Sequence, residues 1–183
     1  MKKLLVMAVC MGATATLLGA DGTVNFNNKV TTAGINARVS DMDGNFVSGA
    51  DYVAQLAWGT ASDALAPIGA PVAFYSDKDT KYGYVNGGVV SVADMAGAAG
   101  FIAMLTWSPA DGADYASAKA AGGQTGMSNV IPVTLGGNGE PPALPADLVG
   151  MEAFALSGEA IPEPSTFALG LIGIGALMLR RRK

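Results

Sequence analysis

Between Asp21 and Glu159 the apolar stretches of this chain are short, and turn-forming runs break them repeatedly: Asp43-Gly44, Asn86-Gly87-Gly88, Asp111-Gly112, Gly122-Gly123 and Gly136-Gly137-Asn138-Gly139. Glycines in such runs accept the positive φ of tight turns, so the chain is reversed before a long helix can build. The stretches left between them read as strands: Thr23–Val30, Ile35–Asp41, Tyr52–Trp58, Val72–Tyr75, Gly88–Val92, Phe101–Trp107, Asn129–Leu135 and Leu148–Leu156. Many short strands with regular turn signals predict a mainly β domain over residues 21–156, an antiparallel β-sandwich or a jelly-roll-like fold.

Periodicity refines two of these strands. Val24, Phe26, Asn28 and Val30 alternate with Asn25, Asn27 and Lys29, the pattern of a half-buried strand. In Phe101–Trp107 the residues Phe101, Ala103, Leu105 and Trp107 make one apolar face, and Ile102 and Met104 make the other apolar too, which predicts a strand buried on both sides. One helix is expected from Asp114 through Ala121, with Gly122 as its stop.

The chemistry open to the domain is limited by what is missing. The sequence contains no histidine, and its one cysteine, Cys10, lies in the first apolar run, so triads, dyads and ordinary zinc sites have no residues to form them. No disulfide can form, and stability must come from a core. Asp41-Met42-Asp43-Gly44-Asn45 begins like a calcium loop, but Phe46 and Tyr52 stand where an EF-hand needs Gly and Glu, and a hairpin turn on Asp43-Gly44 is expected instead. Asp77, Lys78 and Asp79 read as a solvated loop, and no carboxylate pair stands out as a glycosidase acid and base. The reading is of a noncatalytic protein with no metal and no cofactor.

Charge narrows the partners. From Asp21 to Glu159 the five cations Lys29, Arg38, Lys78, Lys81 and Lys119 stand against 14 carboxylates, leaving about −9 where the whole chain carries −4. Such a domain repels phosphates, and no nucleic-acid partner is expected. The aromatic rings Trp58, Tyr75, Tyr82, Tyr84, Trp107 and Tyr115 offer possible stacking faces for the sugars of an extracellular polysaccharide. Trp58, Tyr82 and Tyr84 are the candidates retained, Tyr82 and Tyr84 for their Gly-rich, charged setting. The competing expectation is that Trp58 and Trp107 close the core.

The two ends have a different character. Lys2 and Lys3 precede an apolar run from Leu4 to Ala20 that carries no charge, the layout of a signal peptide over residues 1–20, with maturation expected after Ala20. From Ser157 to Ile161 the apolar alternation gives way to a linker. Then follow Pro162-Glu163-Pro164, thirteen residues from Phe167 to Leu179 with no polar side chain, and Arg180, Arg181, Arg182 and Lys183. As a helix that run reaches roughly 20 Å, short of a hydrocarbon core of about 30 Å. Four cations cannot follow a helix into a protein core, but they can snorkel to a cytoplasmic membrane face and retain the tail there.

Pro162-Glu163-Pro164, the short apolar run and the terminal Arg cluster together resemble the PEP-CTERM sorting domain of exported proteins of Gram-negative bacteria. The resemblance implies recognition by an exosortase, a membrane-embedded cysteine transpeptidase that cleaves near the motif. It also implies transient tethering to the inner membrane before release to the envelope, the surface or the extracellular matrix. More loosely, Thr23–Asn28, Tyr52–Leu56, Tyr82–Gly88 and Ser128–Gly136 are similar to small PEP-CTERM proteins of the Verrucomicrobia type, a likeness that carries no activity.

Overall fold

The computed structural model describes residues 19–158, a mainly β arrangement with one short helix. In chain order the strands are β1 (Gly22–Asn27), β2 (Lys29–Val30), β3 (Ile35–Asn36), β4 (Val39–Ser40), β5 (Val53–Gly59), β6 (Ala66–Ala73), β7 (Asn86–Val92) and β8 (Ala99–Trp107). The helix α1 (Tyr115–Ala120) follows, and then β9 (Thr125–Met127), β10 (Ile131–Thr134), β11 (Gly136–Gly137) and β12 (Phe154–Ala155). Two antiparallel sheets dominate, one in the order β11-β1-β7 and a five-stranded one in the order β10-β8-β5-β6, with β9 continuing beside β8 where β10 ends.

One apolar cluster joins the two sheets. Val24 and Phe26 of β1 and Val90 of β7 pack in it with Leu56 and Trp58 of β5 and Ile102 and Met104 of β8. β1 alternates as its sequence predicts, Val24 and Phe26 pointing inward, and Asn28 just beyond it is buried too. β8 is apolar on both faces for the reason its sequence shows: Ile102 and Met104 enter the main cluster, whereas Leu105 and Trp107 enter a second one with Ala57 and Ala118. Trp107 Nε1 donates to Gly112 O (3.1 Å), which satisfies the one polar atom of that ring. Where β9 gives way to β10, buried Ser128 keeps the ladder intact: its N–H donates to Met104 O (2.9 Å) and its Oγ accepts from Met104 N–H (2.9 Å).

The helix covers the second cluster. Asp114 caps it by accepting from Ser117 N–H (2.7 Å), the Ser117 hydroxyl returns to Asp114 N–H, and the chain stops at Gly122 with φ 72°.

Several strand expectations are corrected. Thr23–Val30 is two strands, because Asn28 turns inward between β1 and β2, and Ile35–Asp41 divides into β3 and β4 around Ala37. Val72–Tyr75 marks only the end of β6, which starts at Ala66. Pro67, Gly69 and Pro71 hide that strand, yet they are tolerated because β6 is a sheet edge with no partner on its outer side, and Gln55 Nε2 donates to Gly69 O (2.7 Å) across its bulge. Leu148–Leu156 is a strand only at Phe154–Ala155; Leu148 and Met151 are buried from a turn. The short strands β9 and β11 have no counterpart among the sequence expectations.

Candidate functional site

The described chain ends in a fixed strand. β12 runs parallel to β4, with Phe154 N–H donating to Arg38 O (3.2 Å) and Leu156 N–H to Ser40 O (2.8 Å). Ser157 then exchanges two hydrogen bonds with Thr125, at 2.9 and 2.8 Å. Thr125 lies opposite Trp107, the last residue of β8. At the other end of the same strand, Ala96 N–H, three residues before β8 begins, donates to Ala20 O (2.9 Å). The chain therefore enters near one end of β8 and leaves near the other, about 26 Å away along the nine-residue strand. Residues 159–183, with every element of the sorting motif, lie outside the described residues, as do residues 1–18 of the expected signal peptide.

A second feature is a corner built around Tyr84. Asn28, completely buried, organises it: Nδ2 donates to Ala37 O (2.6 Å) and Gly83 O (3.0 Å), and Oδ1 accepts from Val85 N–H (2.8 Å). Gly83, at φ 78°, fits so close to β4 that a Cβ would stand 2.6 Å from Val39 O. Tyr84 is held between charges. Its hydroxyl donates to Asn36 Oδ1, Lys29 Nζ lies 4.4 Å from its ring centroid, and Arg38 Cζ lies 5.0 Å from it. The Arg38 guanidinium also lies 3.7 Å from the Phe46 ring and donates to Tyr82 O (2.8 Å) and Asp79 O (3.0 Å), tying the 79–82 turn to β4. On that turn Lys81 pairs with Asp77 at 2.7 Å and lies 4.9 Å from the Tyr75 ring. The hydrogen bond to Lys81 holds the Asp77 carboxyl below the usual carboxylate range, and a hydrogen bond to Asp79 raises the Tyr82 phenol. Beside Tyr84 opens a cleft of about 340 Å³ lined by Lys29, Thr31, Gly34, Ile35, Asn36 and Tyr84.

The expected stacking platform does not form. Trp58 is 7 % exposed and belongs to the core, because it shares the inward parity of Ala54 and Leu56 on an interior strand. Tyr84 is 6 % exposed, its ring taken by Lys29 and Arg38. Tyr82 is half-buried, so the three rings share no exposed face. The Asp43-Gly44 turn is present as expected. Asp41 Oδ1 accepts from Asp43 N–H (3.0 Å) and Asn45 N–H (2.8 Å), which occupies that oxygen within its own loop. Tyr52, whose hydroxyl donates to Gln124 (3.0 Å), has its phenol pKa raised first by burial and then by Asp41, Asp51, Asp111 and Asp43. Lys29 and Arg38 were not singled out by the sequence, since residues 29, 38 and 78–84 meet only through the fold.

Comparison with known proteins places one element. Residues 160–183 match the PEP-CTERM protein-sorting motif, the mark of an exported, membrane-processed protein recognised by an exosortase. Neither a curated protein nor a solved structure matches the chain. Among the described residues no helix is long and apolar enough to cross a membrane; the apolar run 167–179 lies beyond them.

Proposed function

We propose that this chain is a noncatalytic exported protein whose β-sandwich domain is delivered to the cell envelope, the surface or the extracellular matrix by an exosortase acting on its tail. The match of residues 160–183 to the sorting motif carries this reading. The signal peptide leads the domain across the inner membrane, and residues 21–156 fold outside it without needing a disulfide. The apolar run 167–179 and the cations 180–183 hold the chain at the membrane. Pro162 and Pro164 fix φ and remove two backbone donors, which disfavours a helix at the motif and suits the extended form a protease grips.

The geometry is consistent with this order of events. Among the described residues Ser157 is the last one hydrogen-bonded into the domain, and in the sequence the first proline of the motif comes five residues later. The noncatalytic reading rests on the residue inventory and on the engagement of Asp41 and Asp114 in their own loop and cap.

The test is fractionation in a host that carries an exosortase. Wild type should leave the membrane fraction after processing. Deletion from Pro162 onward should redirect the protein while leaving its fold unchanged, and an unchanged destination would overturn the reading.

A further inference from the structure

The domain is acidic as a whole, but its cations are gathered in one place. Of the five cations among the described residues, Lys29, Arg38, Lys78 and Lys81 all belong to the Tyr84 corner and its adjoining turn, and only Lys119 lies elsewhere. Of the 13 carboxylates among the same residues, Asp77 and Asp79 lie on or beside that turn. Asp77 is paired with Lys81. Lys29 and Lys78 are exposed and form no ion pair among the described residues.

The cleft at this corner is rich in donors. Asn36 Oδ1 accepts from the Tyr84 hydroxyl, which leaves the amide N–H₂ as the half of that side chain open to a ligand; Thr31 adds a hydroxyl and Lys29 an ammonium. A donor set of this kind takes an oxyanion with neighbouring hydroxyls. At about 340 Å³ the cleft is at the small end of ligand sites, the size for a short stretch of sugar chain. Stacking cannot be the mode of recognition, because cations already cover the Tyr84 ring.

We propose that this corner binds a carboxylated polysaccharide, with Lys29 holding a uronate carboxylate in the cleft while Asn36 and Thr31 hydrogen-bond the adjoining sugar. A polyanion as dense as nucleic acid is disfavoured, because its phosphates would extend from four cations onto the other eleven carboxylates. Spaced carboxylates on a neutral, hydroxyl-rich chain avoid that conflict. The biological setting rests on the proposed delivery outside the cell; the binding itself does not.

The experiment is calorimetric titration of the full chain, purified in mild detergent, with hyaluronan, which carries one uronate carboxylate per disaccharide, with neutral dextran and with single-stranded DNA. Hyaluronan should bind at low salt and weaken as salt screens the contact. Lys29→Gln should weaken binding about tenfold, the scale of one charge-assisted hydrogen bond. Lys29→Arg should restore most of it, and Lys119→Gln should leave it unchanged. Circular dichroism of each variant checks that the fold persists. Dextran or DNA bound as well as hyaluronan, equal losses from Lys29→Gln and Lys119→Gln, or no binding at low salt would each overturn the proposal. Every variant carries the same cationic tail, so its own attraction for a polyanion cancels from the Lys29→Gln comparison, and failure here with normal processing in cells would leave the sorting function standing.

Discussion

Asn28 shows how much of this fold depends on single polar side chains placed inside it. Its amide satisfies two carbonyls and one N–H from two separate segments, Ala37 and Gly83–Val85, all buried. Asn28→Ala leaves those groups without partners and should cost about 3 kcal/mol or more in urea unfolding. Asn28→Asp should not rescue it, because a carboxylate cannot donate to Ala37 and Gly83. Strand parity in the sequence places Asn28 on the inward face, but not its role, because its partners lie 9 to 57 residues away. Acid sensitivity belongs to this scale too. Ser117 N–H and its hydroxyl hold the Asp114 carboxyl below the usual range, as Lys81 does Asp77. Depressed folded-state values mean that these groups stabilise the fold above the ordinary carboxylate range, and that the contribution is lost as pH falls through the folded values. Melting temperatures measured from neutral to acid pH should therefore fall less steeply for Asp114→Asn, which keeps a cap that does not titrate.

Among the elements, β8 is the strand on which both apolar clusters depend. Trp107→Ala should cost about 3–5 kcal/mol, as expected for a fully buried aromatic ring, whereas Met127→Ala, at an exposed site on β9, should stay within about 0.5 kcal/mol. Denaturant titration of the two variants side by side checks the contrast. The two-sided burial of β8 was legible because each parity of Phe101–Trp107 is apolar by itself. β6 was not legible, since Pro67, Gly69 and Pro71 are loop residues unless the strand is known to be an edge. Leu148–Leu156 misled in the opposite sense: its apolar residues are core residues, but a turn and not a ladder brings Leu148 and Met151 inward. The Tyr84 corner lay beyond reach because no local pattern joins Lys29, Arg38 and Lys81.

For the whole molecule, the domain and the tail are separate tasks for one chain. A fragment of residues 19–158 keeps the Ala20–Ala96 and Ser157–Thr125 hydrogen bonds at its two ends. It should fold with a β-type circular dichroism spectrum that neither chelator nor reductant changes. Replacing Arg180, Arg181 and Arg182 with Ala should loosen membrane retention, and replacing Glu163 should slow processing while leaving the fold intact. The central claim, that the tail is a processing signal and not a lasting anchor, is tested most directly by the intact mass of the exported protein from matched hosts with and without an exosortase. The expected result is loss of mass corresponding to removal of the chain from near Pro162–Pro164 onward, only where the exosortase is present. An identical mass in the two hosts, with the tail retained through Lys183, would contradict it.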